Sequence, residues 1–208
     1  MTKPNLDAAY ALQTPEDNRK LYADWAESYD TGFAQDMAYD LPRHVATALN
    51  EVYDGRGPIL DVGAGTGLLA AYISDAADRD IDALDISNEM LAIAAGKGVY
   101  RKTIEADLTR ALDIPDTTYR AVVSSGTFTH GHIGPDALDE LLRIAGSGAI
   151  FVLSINAEHF EARGFTAKFA ALAPMITEMS HKMVPIYGAG QAAAHQDDQA
   201  FINVFRKR

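Results

Sequence analysis

The chain has 208 residues, with 18 basic and 29 acidic side chains, and no cysteine. That length suits one domain with a sizeable core. The formal charge of -11 repels phosphate backbones and anionic bilayers, and the lack of cysteine excludes disulfides, thiolate metal sites and a thiol nucleophile. Met1–Asn5 carries no apolar leader and no apolar run is long enough to span a bilayer. The expectation is a soluble cytoplasmic protein without nucleic-acid or membrane partners.

No internal repeat or linker-like tract interrupts the sequence. Thr14-Pro15-Glu16-Asp17 predicts a helix start: a capping hydroxyl, proline in the first turn, then acids at the positive end of the dipole. Leu21, Tyr22, Trp25, Ala26 and Tyr29 follow at helical spacing. They read equally as a core stripe and as a helical cover over a ligand. A second helix is predicted over Pro42–Tyr53, ending before Gly55. Residues 1–57 thus form an N-terminal helical extension, part of the same unit as residues 58–208.

From Pro58 onward the signals alternate. Strands are predicted over Ile59–Val62, Ile81–Asp85, Arg101–Glu105, Ala121–Ser125 and Ala149–Ile155, with closing strands over Met183–Tyr187 and Ala200–Phe205. Helices are predicted over Gly67–Ala77, Asn88–Lys97, Pro135–Ala145 and Glu158–Ala173. Such alternation implies a Rossmann-like, doubly wound α/β fold with a mainly parallel, seven-stranded sheet. Ligands of open α/β sheets sit beyond the carboxyl ends of the strands.

One such end reads Leu60-Asp61-Val62-Gly63-Ala64-Gly65-Thr66-Gly67. Three alternating glycines after an apolar strand allow positive φ and close ligand approach. Asp85 closes the second strand, where a carboxylate can accept both ribose hydroxyl protons of an adenosine ligand, or cap the next helix. Asp107 follows the third strand. It can accept from an adenine amine with Leu108 beside the ring, or close an Asx turn. Asp61, two residues before Gly63, opposes a pyrophosphate but suits a cationic ligand group. The spacing therefore differs from a dinucleotide fingerprint, and no P-loop lysine is present.

These residues resemble the class I S-adenosylmethionine-dependent methyltransferases. The likeness rests on Leu60–Gly67, on Leu84-Asp85-Ile86-Ser87-Asn88-Glu89-Met90-Leu91 and on Ala106-Asp107-Leu108, in the family's order. It implies S-adenosyl-L-methionine as cofactor, with S-adenosyl-L-homocysteine as product. Cofactor contacts are then expected from Asp61, Gly63, Ala64, Gly65, Thr66, Gly67, from Asp85, Ile86, Met90, Asp107, Leu108, and from Ser125, Tyr22 and Trp25. Val122–Ile133 and Tyr22-x-x-Trp25-x-x-x-Tyr29-Asp30 further resemble the Williams–Beuren syndrome region methyltransferase-like group. Ser125-Gly126-Thr127-Phe128 stands where methylases of amide or adenine nitrogen carry Asp/Asn-Pro-Pro-Tyr, which points away from those substrates.

His130 and His132 follow the fourth strand, where an imidazole suits proton removal at neutral pH; either also serves as an ordinary turn histidine. Tyr29 is the candidate for contact with the transferred methyl. His159, His181 and His195 read as surface or loop residues, and no metal-ligand spacing occurs. The segment Asn156–Ala194, with Met175, Met179 and Met183, is expected to contribute an adaptable apolar wall. The expected activity is methyl transfer to a small-molecule acceptor by in-line displacement. A non-catalytic adenosyl-binding protein and a nicotinamide-dependent oxidoreductase are the alternatives.

Overall fold

The computed structural model describes residues 9, 12, 14–73, 75–129, 131–188 and 197–208. His130 and His195 lie outside them. The first helix, α1 (Pro15–Trp25), begins as the sequence dictates. Thr14 and Asp17 form a reciprocal capping box, in which the Asp17 amide donates to the Thr14 hydroxyl at 3.1 Å. A short tight turn and a six-residue π-helical turn (Tyr29–Ala34) follow, then α2 (Leu41–Val52).

The sheet comprises β1 (Ile59–Val62), β2 (Ile81–Asp85), β3 (Lys102–Glu105), β4 (Tyr119–Phe128), β5 (Ala145–Asn156), β6 (Ile176–Pro185) and β7 (Gln199–Lys207). Helices α3 (Asn88–Gly96), α4 (Ala137–Ile144), α5 (Ala157–Ala162) and α6 (Phe165–Leu172) complete the order. The strand order is 3-2-1-4-5-7-6. All neighbours pair in parallel except β7, which runs antiparallel to both β5 and β6. The architecture is a Rossmann-like α/β sheet. β5, buried over Ala149–Asn156, carries in Ala149–Leu153 the continuous apolar run that a two-sided strand requires. One face packs around Leu138, Leu141, Phe151, Phe165 and Phe205, the other around Val45, Leu49, Ile73 and Val123.

Four expectations need correction. Gly67–Ala77 is not a helix. Gly67 stands at φ +84, outside the right-handed region. Only a three-residue tight turn, Ala70–Tyr72, forms, and Ile73 is extended. Leu69, Ala70 and Ile73 are buried all the same. Second, the Glu158–Ala173 helix is two helices, split at Gly164, which takes φ +77. Third, the sixth strand starts at Ile176 rather than Met183. It is the edge strand, and Met175, Met179 and Met183 are exposed there (37–48%). They line neither cavity described below. His159 is also misplaced by sequence: it is buried, with Nε2 3.0 Å from the Ile133 carbonyl oxygen. Among the described residues no helix is long and apolar enough to cross a membrane.

Candidate functional site

The chain runs from β1 outward through β2 and β3, then returns to the other side of β1 as β4. The switch point is therefore the β1/β4 boundary, where an open α/β sheet offers a crevice. A cavity of about 330 Å³ opens there, within the range of small-molecule sites. Its wall comes from the ends of four strands: Gly63 and Gly65 after β1, Asp85 and Ile86 at β2, Asp107 and Leu108 after β3, and Ser125–Thr127 in β4.

The three glycines serve different ends. A Cβ at Gly63 would stand 2.0 Å from the Thr127 hydroxyl oxygen, and one at Gly67 would stand 2.8 Å from the Tyr100 ring. Those two glycines admit neighbouring side chains. Gly65 also has positive φ (+53), yet a Cβ there would meet nothing within 4 Å. Its open side belongs to the cavity wall, leaving room for a ligand against the backbone. The Gly65 amide donates to Asp85 Oδ2 at 2.8 Å, and the Ser87 amide donates to Asp85 Oδ1 at 2.9 Å. One carboxylate thus ties the glycine turn to the start of α3, which Ser87 caps through the Met90 amide. Burial pushes the Asp85 carboxyl up, and the amide donors oppose that shift.

Asp61 lies off the cavity. It is 1% exposed, and its Oδ2 accepts the Tyr100 hydroxyl at 2.7 Å. Burial raises its carboxyl to about 7, against the Tyr100 bond, with a further push from Asp85. Ala64 is buried against Ala83 and Leu91. Thr66 is buried, and its hydroxyl donates to Asp30. Gly67 faces Tyr100. None of these four lines the cavity. Asp107 lines it and also closes an Asx turn, with Oδ1 accepting the Thr109 amide at 2.8 Å. Met90 and Ser125 contribute to the same wall.

The N-terminal residues stand over the strand ends. Tyr22 and Tyr29 line the cavity, whereas Trp25 is buried with Met90 and Ala26 behind it. The Tyr22 hydroxyl lies 2.9 Å from His132 Nε2. Asp30 accepts from Thr66 and pairs with Lys97 at 2.6 Å, joining the N-terminal segment, the glycine turn and the end of α3. Burial holds the Tyr29 phenol well above its usual range, with Tyr39, Tyr22, Asp30 and Asp85 adding to the effect. Burial likewise takes Tyr39 to about 12. Both remain neutral phenols at physiological pH.

Sequence reasoning missed Tyr39, Asn18 and Gly126. Tyr39 carries no motif; it reaches the cavity because a one-residue bridge pins it beside Tyr187. Asn18 is buried on α1, and its Nδ2 donates to the Thr14 and Gly131 carbonyls. Its Oδ1 has no partner among the described residues, and the side chain lines the cavity. Gly126 sits in a β4 bulge at φ +81, where a Cβ would strike the Tyr39 hydroxyl at 2.5 Å. Because the sequence reading ends the fourth strand at Ser125, neither the bulge nor the tyrosine was legible there.

A glycine turn with open backbone, a carboxylate at the second strand end and an orphaned acceptor on the wall suit an adenosylated amino-acid ligand. Fold and site together define a Rossmann-like ligand site at the switch point of the sheet. Residues 59–148 match the family model described as a methyltransferase domain. That match spans somewhat less than half of the chain, takes in the glycine turn, Asp85 and Asp107, and implies S-adenosyl-L-methionine as cofactor. Methyltransferase-like protein 27 of Homo sapiens is 30% identical over 138 residues, 64% of this chain and 56% of that protein. The chain therefore spans little more than half the length of that relative. The [4+2]-cyclase SpnF superposes with TM-score 0.67 at 18% identity, covering 94% of this chain and 97% of that one. A TehB-like methyltransferase from Corynebacterium glutamicum gives TM-score 0.59 at 17% identity, covering 90% and 98%. At such identities the likeness is one of fold, and a cyclase among the neighbours shows that fold alone does not name a reaction.

Proposed function

We propose that this chain transfers the methyl group of S-adenosyl-L-methionine to a small-molecule acceptor by in-line displacement. The observation that carries the proposal is the open backbone at Gly65 on a cavity bounded by Asp85 and Asp107. Asp85 holds the ribose hydroxyls in this reading: each oxygen already accepts one amide, and a carboxylate has about four acceptor positions. Asp107 and Leu108 flank the adenine, with Ile86 and Met90 beneath. Asn18 Oδ1 accepts from a donor at the amino-acid end. The bound sulfonium supplies an electrophilic methyl and needs no activation, so the protein's task is alignment and exclusion of water.

Residues 1–57 act as a cover over the domain of residues 58–208, with Asp30 as the tie across the glycine turn. Tyr29 borders the transferred methyl. Tyr22 and His132 form a relay for an acceptor that arrives protonated: the hydroxyl takes the proton as its own passes to Nε2. His130 belongs to the same proposal. The narrower likeness to the Williams–Beuren syndrome region methyltransferase-like group is supported by the Tyr22-to-Asp30 pattern, of which Tyr22 and Tyr29 line the cavity.

Titration calorimetry with S-adenosyl-L-homocysteine, followed by incubation of labelled S-adenosyl-L-methionine with a fractionated small-molecule extract, tests the reading. Expected are saturable binding and label in one low-molecular-weight fraction. Absence of binding overturns it. Binding without label in any fraction favours the non-catalytic alternative.

A further inference from the structure

Beside the main cavity lies a second one of about 50 Å³. Tyr22, Tyr29, Tyr39, Gly126 and His132 line both, so the two meet along these residues, and Asp107 lines only the larger. On the reading above, that junction is where the methyl emerges, and the smaller cavity is the acceptor's place. Its volume holds a group of roughly four heavy atoms, since one water needs about 10–15 Å³ on this measure.

The walls are a connected belt of rings. Tyr22 meets Trp25 at 5.6 Å and Tyr29 at 6.3 Å between centroids. Tyr29 stacks on Phe33 at 5.2 Å, Phe33 meets Tyr39 at 6.0 Å, and Tyr39 meets Tyr187 at 5.8 Å. Among the described residues the lining includes no Asp, Glu, Lys or Arg. The phenols stay neutral, so the belt offers uncharged, electron-rich faces. Such faces attract a cation through the ring quadrupole and do little for a neutral or anionic group. The carboxylates of Asp30 and Asp85 both act on Tyr29 and favour positive charge as well.

The charge balance of the reaction then selects the acceptor. Methylation of an oxyanion or thiolate annihilates the positive charge, and aromatic walls lose their attraction as the reaction proceeds. Methylation of an amine moves the same charge from sulfur to nitrogen, and the belt faces a cation throughout. We infer that the acceptor is a small aliphatic amine whose amino end occupies the belt of Tyr22, Tyr29, Tyr39 and Tyr187. The ammonium proton passes to the Tyr22 oxygen while the Tyr22 proton passes to His132 Nε2. The freed nitrogen lone pair forms the N–C bond as the S–C bond breaks, its electron pair staying on sulfur. Nitrogen ends with the positive charge, sulfur neutral.

The test is calorimetry on the full chain saturated with S-adenosyl-L-homocysteine, using tetramethylammonium and its near-isosteric neutral counterpart tert-butanol. Expected is at least tenfold tighter binding of the cation. Tyr29→Leu should weaken tetramethylammonium about tenfold, while Tyr29→Phe, which keeps the ring, restores most of it. Because a leucine variant that unfolds would lose both ligands, the cation-to-alcohol ratio in the unmodified protein is the deciding measurement. Equal binding of cation and alcohol to the loaded protein overturns the inference while leaving the methyl-transfer reading standing. No heat from S-adenosyl-L-homocysteine itself overturns both.

Discussion

Replacing single glycines by alanine separates the roles of the β1 turn. At Gly65 the backbone φ is +53 and nothing lies within 4 Å of the added carbon. The cost is the left-handed conformation alone, about 1–2 kcal/mol. For a chain of this size that lowers the melting temperature by roughly 2–8 °C. At Gly63 the same strain, at φ +64, is joined by a contact of 2.0 Å to Thr127 Oγ1. That hydroxyl donates to the Val62 carbonyl at 2.9 Å, so it cannot yield without breaking the bond. Overpacking adds about 1–3 kcal/mol, and Gly63→Ala should cost about 2–5 kcal/mol in total. Affinity should follow the opposite order. The Gly65→Ala carbon stands on the cavity wall, where the ligand approaches the backbone, and S-adenosyl-L-homocysteine should bind at least tenfold more weakly, about 1.4 kcal/mol. Gly148→Ala is the control: φ is +77, the nearest atom is at 3.8 Å, and the residue lies outside the cavity. It should lose stability like Gly65→Ala and bind normally. Thermal unfolding and calorimetry on the three variants decide the matter. Binding of Gly65→Ala within twofold of the parent would refute the claim that this backbone cradles the ligand.

The Asp61 carboxyl, raised to about 7 by burial, binds protons more tightly in the native than in the unfolded chain, where it titrates at about 3.9. Its contribution to stability is therefore fullest below about pH 4, and declines as pH rises to about 7, by on the order of 4 kcal/mol. Asp61→Asn, which keeps an acceptor for Tyr100, should raise the urea midpoint at pH 8 and lose that advantage near pH 4; an equal midpoint at pH 8 contradicts this. Asp30→Ala removes the tie to Thr66 and Lys97. With both charges about 30% exposed, the stability loss should be about 1 kcal/mol or less. Faster release of S-adenosyl-L-homocysteine in stopped flow is expected, and an unchanged rate removes the cover role. Asp82, fully buried, receives two Arg101 bonds at 2.8–2.9 Å and the Tyr119 hydroxyl at 2.8 Å. Asp82→Ala should cost about 3–5 kcal/mol in urea unfolding without altering ligand affinity; a loss under 1 kcal/mol contradicts the assignment.

Much of this protein was written locally. Thr14 to Asp17 starts a helix because cap chemistry is a matter of four consecutive residues. The central β5 holds an apolar run because burial on two faces demands it, and Asp85 and Asp107 reach the cavity because strand ends of such a sheet share one edge. Where neighbours distant in sequence decide, local reading failed. Gly67–Ala77 has helix-forming residues, yet packing of Leu69, Ala70 and Ile73 against α2 and the sheet takes them as turns. The motif glycines look equivalent in sequence, but Thr127 and Tyr100 occupy two of them and leave only Gly65 open. Asp61 looks ligand-facing until Tyr100 folds onto it. The aromatic belt joins Tyr22 to Tyr187 across most of the chain. Cap and strand preferences are properties of a few consecutive residues, whereas which side chain fills a given space is fixed only when the sheet brings its edges together.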